Sequence, residues 1–225
     1  MPSDISEKQR LAASIANSRK KYGSLSNEQN MHRMVCSMFN SGHGTKREIE
    51  SLLYRKISPS GSLLYIQSDN TVDTNRIDQL GYRIVQQINL GSMINTSVKT
   101  ESIVALNAKL MPTKTVKGKK ICIEDKDDRL NWVKRKGTES GFEILEINEV
   151  DRDQILFDHS SSPFFNRENA TRLNAYTYHV IARITDVTKF QTAVRAGIGR
   201  GRAYGCGMTL FRPIETDYIK NADCS

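Results

Sequence analysis

The residue in this chain best suited to move a proton is His32, which stands among Met31, Met34, Val35, Met38 and Phe39. Those apolar residues recur at helical spacing and mark a buried stripe, and His32 falls roughly 90° from the stripe's centre on a helical wheel. Its imidazole therefore reaches solvent or a ligand while the helix stays docked. Titrating near neutrality, it can take or give a proton. Cys36 lies one turn further along and would make half of a metal site, but no second pair of ligands completes it. The four cysteines contain no CxxC pair, so free thiols and no bound metal are expected.

Cationic residues form the second chemical resource. Lys109, Lys114, Lys117, Lys119 and Lys120 occur in a stretch without a carboxylate. The same holds from Val187 to Ile214, which carries Lys189, Arg195, Arg200, Arg202 and Arg212. Such patches attract polyanions, because neutralising phosphates releases condensed counterions. A solvated basic face is the plainer reading of the same residues.

The second cationic stretch contains the most unusual segment, Gly197-Ile198-Gly199-Arg200-Gly201-Arg202-Ala203-Tyr204-Gly205-Cys206-Gly207, with five glycines in eleven residues. Glycines allow turns closed to other residues and let a ligand approach the backbone. Dinucleotide-binding loops follow an early strand and open a helix. This one follows a predicted helix, precedes a predicted strand and has only eighteen residues after it, so no nucleotide cofactor is expected. A tight helix-to-strand connection would also use these glycines for packing alone. The two arginines favour contact with phosphate, whose geometry and charge match a guanidinium.

The chain's 225 residues suit one large domain or two of about 100 residues each. The net charge is +8, and 38% of the residues are hydrophobic, enough for ordinary cores. No apolar run approaches the roughly 18 residues of a membrane span. Nor does the start, MPSDISEKQRL, have the apolar centre of a secretory signal, so a cytoplasmic protein is expected.

Several elements must hold these groups in place. Ser26 and Gln29 fit a capping box for a helix over residues 26–40, stopped by Asn40-Ser41-Gly42. A second helix is expected over residues 46–56, burying Ile49, Leu52 and Leu53, followed by a strand over residues 63–66. Strands are also expected over 82–89, 102–111, 142–147, 176–184 and 208–211, with helices over 125–136 and 186–196. The basic segment between them is expected as a loop, and residues 158–172 as an exposed hairpin or loop. This order predicts an α+β architecture of two ferredoxin-like β-α-β-β-α-β units, divided as residues 1–98 and 99–225. The opening strand of the first unit is best placed at Leu11–Ile15, which reads equally as helix.

The stretch GIGRGRAYGCGMTLF, after a short helix near the C-terminus, resembles the loop of CRISPR-associated repeat-processing endoribonucleases, and of the CasE family of type I-E systems in particular. Asn30-Met31-His32-Arg33 is similar to that family's histidine-bearing helix. Leu106-Asn107-Ala108-Lys109-Leu110-Met111-Pro112-Thr113-Lys114 is similar to its strand ending in Ala-x-x-Pro-x-Lys, with one residue extra between alanine and proline. The resemblance covers most of residues 26–214. It implies tandem ferredoxin-like folds that bind the repeat's stem-loop in precursor CRISPR RNA and cut at its 3′ base. The product guide RNA would then stay bound, with the chain a subunit of an interference complex.

The resemblance gives His32 a task. Metal-independent RNA cleavage needs the 2′-hydroxyl deprotonated, the adjacent phosphate attacked in line and the 5′-oxygen protonated, and an imidazole can perform either transfer. Relatives often carry a tyrosine three residues before the histidine, where this chain has Gln29. A glutamine can orient a phosphate but does not donate a proton comparably, which leaves Tyr22, Lys20, Lys21 or Ser37 as substitutes. The RNA-binding candidates are Lys114, Lys117, Lys119, Lys120, Arg167, Arg172, Gly197, Gly199, Arg200, Gly201 and Arg202. Arg167 and Arg172 would follow a groove from an exposed hairpin, RNA stems being read mostly through backbone and shape. The rival readings are a subunit of the same fold that holds an RNA hairpin without cutting it, and an unrelated ferredoxin-like interaction domain.

Overall fold

The computed structural model describes residues 28–39, 52–57, 63–158 and 170–214. The elements run α1 (Glu28–Cys36), β1 (Leu53–Lys56), β2 (Leu64–Gln67), α2 (Thr74–Gln79), α3 (Leu90–Ser97), β3 (Ile103–Leu110), β4 (Thr113–Val116) and β5 (Lys119–Cys122). They continue with α4 (Lys126–Glu139), β6 (Phe142–Asp158), β7 (Ala170–Ile184), α5 (Val187–Ala196), a 3₁₀ turn (Arg202–Tyr204) and β8 (Thr209–Pro213). Two compact units emerge. The described residues of Met1–Gln87, Gln154–Leu173 and Arg202–Gly205 form one, and those of Ile88–Asp153, Asn174–Gly201 and Cys206–Ser225 form the other.

In the second unit, period-two burial builds one sheet face. Val104, Leu106, Ala108 and Leu110 of β3 and Tyr176, Tyr178, Val180, Ala182 and Ile184 of β7 are all buried. The antiparallel register sets Leu106 opposite Val180 on one side and Phe211 of β8 on the other, so the three strands present one apolar surface. Trp132 and Val133 of α4 and Phe190 and Val194 of α5 close the same core. Phe190 meets Phe142 and Phe211 edge-on at 6.1 and 5.4 Å between ring centroids. Fully burying one such ring contributes about 1.5–3 kcal/mol. The sheet order is β6-β7-β3-β8, and with α4 after β3 and α5 after β7 this is one complete β-α-β-β-α-β unit. Both helices start on an aspartate cap. Asp125 accepts from the Asp128 amide and Asp186 from the Lys189 amide, each at 2.9 Å.

Beneath this sheet lies a polar knot. The Arg129 guanidinium donates to both carboxylate oxygens of Glu149, at 2.9 and 2.7 Å, and stacks 4.0 Å above the Tyr176 ring. The Tyr178 hydroxyl donates to the same carboxylate at 3.0 Å. Hydrogen bonding from Arg129 holds the Glu149 carboxyl below the usual range against the opposing effect of burial. Burial, then the Glu149 contact, pushes the Tyr178 phenol upward.

The first unit packs α1 against the β1–β2 hairpin and α2. Met31, Met34, Val35, Met38 and Phe39 are buried with Tyr54, Ile77 and Leu80, the stripe expected from their spacing. The helix ends at Cys36, short of the expected residue 40, in a tightened turn where the Ser37 and Met38 amides donate to Met34 and Val35. Arg76 then donates to the Phe39 carbonyl at 3.0 Å.

Three other expectations need correction. The helix expected over 46–56 is strand from Leu53 to Lys56, because those residues pair with Leu64–Gln67, and the Leu52-Leu53 pair alone fits either period. Residues 46–51 of that expectation lie outside the described residues, as do Ser26 and the expected strand at Leu11–Ile15. The strand expected over 82–89 is irregular; Tyr82 packs half-buried on the first core, residues 83–89 are exposed with Val85 78% accessible, and its end becomes the Asn89 cap of α3. Helices α2 and α3 were not expected, and both begin on short polar caps, Asp73 and Asn89. The basic loop is instead the β4–β5 hairpin, turned at Lys117 and Gly118 with φ of 46° and 77°. Among the described residues no helix is long and apolar enough to cross a membrane.

Candidate active site

His32 occupies the open edge of α1, half-buried, beside the fully buried Met31. Among the described residues, two side chains border its ring. The Cys36 thiol lies 3.6 Å from Nε2 and 3.9 Å from Nδ1, one turn away on the same helix. The Tyr54 ring of β1 stacks against it, 6.0 Å between centroids and 24° between planes. Gln29, half-buried, precedes His32 by three residues, which on a helix puts both on neighbouring positions of one face. At the start of α1, Glu28 pairs with Lys56 of β1 at 2.8 Å.

Residues 202–205 of the glycine segment belong to the first unit and the rest to the second. The Arg202–Tyr204 turn packs on α1 and β1, and the Ala203 carbonyl accepts from the Tyr54 hydroxyl at 3.0 Å. Arg202, at the head of that turn, is exposed. The structure thus gathers His32, Gln29 and the Arg202 turn in one unit. Gly197, Gly199, Arg200 and Gly201 belong to the second unit, with Arg200 exposed. Gly199 and Gly201 have φ of 79° and 80°, and a Cβ on them would come within 2.9 Å of Trp132 and of Met111 respectively. Backbone conformation and close packing therefore account for these two glycines.

The lysine candidates also belong to the second unit. Lys114, Lys117, Lys119 and Lys120 all project from the β4–β5 hairpin into solvent. Lys114 meets Asp128 at 3.5 Å in an exposed pair, and Lys120 contacts the Thr115 hydroxyl. Arg172 is exposed on β7 in the first unit. Tyr22 and Arg167 lie outside the described residues, as do Lys20 and Lys21, while Ser37 donates to the Met34 carbonyl at 2.7 Å. Sequence reasoning missed Tyr54. It fell at the end of the segment expected to be helical, and no motif surrounds it.

This arrangement offers a half-exposed imidazole on a rigid helix, with a cation-bearing turn packed on the same helix. It suits proton transfer next to an anionic group.

Comparison with known proteins identifies the fold and the family. In fold the chain is similar to Thermus thermophilus Cse3 bound to an RNA representing a pre-cleavage complex, at 19% identity and a TM-score of 0.67 over 87% of this chain and 93% of that one. It is similar to the CRISPR-associated protein Cas6e from Escherichia coli str. K-12, at 13% identity and a TM-score of 0.58 over 84% and 93%. A component of a CRISPR RNA-guided surveillance complex, pre-nicking, is similar at 23% identity and a TM-score of 0.60 over 84% and 91%. These likenesses bear out the α+β, tandem ferredoxin-like expectation. No curated protein matches the sequence. A family model described as "CRISPR associated protein" matches residues 10–213, and the chain belongs to that family.

Proposed function

We propose that this protein is an endoribonuclease that cuts precursor CRISPR RNA at the 3′ base of the repeat stem-loop and keeps the guide RNA as a subunit of an interference complex in the cytoplasm. The observation that carries the reading is the half-exposed His32 imidazole on a helix against which the Arg202-bearing turn packs. Support also comes from fold relatives, one an RNA-bound Cse3 and one part of an RNA-guided surveillance complex.

His32 transfers a proton as the 2′-hydroxyl attacks the adjacent phosphate in line. Arg202 lowers the energy of the charged phosphorane, and Gln29 orients the phosphate. The products are a 2′,3′-cyclic phosphate and a 5′-hydroxyl. Lys114, Lys117, Lys119, Lys120, Arg172 and Arg200 hold the strand through its phosphates. Arg167 follows the stem's backbone with Arg172, Tyr22 is one candidate for the second proton carrier, and the Gly197–Gly201 backbone lets phosphate approach closely. The chemistry uses no metal or cofactor.

The test is incubation of purified protein with its cognate repeat hairpin in EDTA. Cutting to a cyclic-phosphate end is the expected outcome, and cutting only when a divalent cation is restored contradicts the metal-independent step. The second reading, a hairpin-binding subunit without activity, is favoured by Gln29, whose amide supplies no acidic proton at the position where the resemblance often implies a tyrosine. Tight binding with no cleavage under either condition establishes it.

A further inference from the structure

Tyr54 is 1% exposed, so its ring is part of the first unit's core, yet it touches three parts of the candidate site. Its face stacks on the His32 imidazole, with centroids 6.0 Å apart and planes 24° apart. Its hydroxyl lies 3.1 Å from the Glu28 carbonyl, at the first residue of the His32 helix. The same hydroxyl lies 3.0 Å from the Ala203 carbonyl, the residue after Arg202. A Cβ on Gly205 would meet the ring's Cε2 at 3.4 Å and the Tyr54 carbonyl at 3.7 Å, so the chain after the turn passes directly over Tyr54.

A phenol has one proton, and here two carbonyls share it. Tyr54 is thus occupied as a donor and does not supply the proton that the leaving group needs. A buried, doubly anchored ring is instead a rigid surface against which another ring is held. From β1, a strand bonded to β2, it fixes the plane of the imidazole and ties the helix start to the arginine-bearing turn. The Cys36 thiol borders the imidazole from its own helix, at 3.6 Å.

We propose that Tyr54 is the positioning residue for cleavage. Its ring orients the His32 imidazole, and its hydroxyl locks the Arg202 turn to the start of the His32 helix. The inference rests on the reading of His32 as the proton carrier. It requires Tyr54 to act on rate rather than affinity, since its ring is buried and its contacts are to the His32 helix and the Arg202 turn.

The experiment compares wild type, Tyr54→Phe, Tyr54→Leu and His32→Ala for single-turnover cleavage and for hairpin affinity. The His32 ring signals of histidine-labelled full-length protein are recorded in parallel. Tyr54→Phe keeps the ring and its volume, so it folds as wild type does. It is expected to cut about tenfold more slowly at near wild-type affinity, with displaced His32 signals, while Tyr54→Leu loses about 10²-fold. Tyr54→Phe cutting at the wild-type rate overturns the inference, as does a parallel loss of affinity and cutting in either Tyr54 variant. Cleavage that depends on His32 but not on Tyr54 refutes this proposal alone. Absence of cleavage by the wild type refutes it together with the endonuclease reading.

Discussion

His32 lies where α1 passes from its buried stripe to its open edge, and that location followed from spacing alone. Met31, Met34, Val35 and Met38 must face a core, and the neighbouring position then cannot. Its ring contacts were not legible in the same way, because Tyr54 reaches it from a strand 22 positions on in the chain. Pairings of that kind depend on register between elements, which no local pattern encodes. Residue-scale energetics give a test of a different group. Arg129 and Glu149 form a largely buried pair, and removing one partner of such a pair costs about 3 kcal/mol. Glu149→Gln should lower the urea midpoint at pH 7 accordingly. Because the folded Glu149 carboxyl titrates below its ordinary value, the stabilisation is complete once an unfolded carboxyl is ionised and fades as pH falls through the folded value. The gap between wild type and variant should therefore narrow in acid. Equal midpoints at pH 7 would make the pair ornamental.

At the scale of elements, strong local signals coincided with what the fold uses. Asp186, the apolar Phe190 and Val194, and Gly197 at φ 76° delimit α5 as capping rules require. Strand β3 alternates as a half-covered strand should. The failures are short segments whose state is set by a partner. Leu53–Lys56 becomes strand only because β2 lies beside it, and residues 83–89 have strand-forming side chains but lie exposed without regular structure. The lysines of the β4–β5 hairpin hide its alternation and make it resemble a loop, yet Lys117-Gly118 is a two-residue turn that the glycine foreshadows. That hairpin holds four exposed lysine candidates on one short ribbon. Replacing Lys117, Lys119 and Lys120 together should weaken hairpin RNA binding and flatten its salt dependence by up to about one slope unit per lost phosphate contact. Binding titrations across salt concentrations measure it. An unaltered slope would leave the ribbon a solvated face.

For the whole molecule, the alternation of helices and strands anticipated the second unit, whose sheet and two helices are complete among the described residues. A net charge of +8 favours encounter with a polyanion, though it does not say which. Charge and fold together are compatible with binding alone, and only chemistry at one site separates an enzyme from a holder of RNA. The decisive measurement is single-turnover cleavage of the cognate repeat hairpin by His32→Ala beside the wild type, with affinity determined for both. Cleavage should fall by at least about 10²-fold while affinity stays close to wild type. A variant that cuts as fast as the wild type would contradict His32 as the proton carrier.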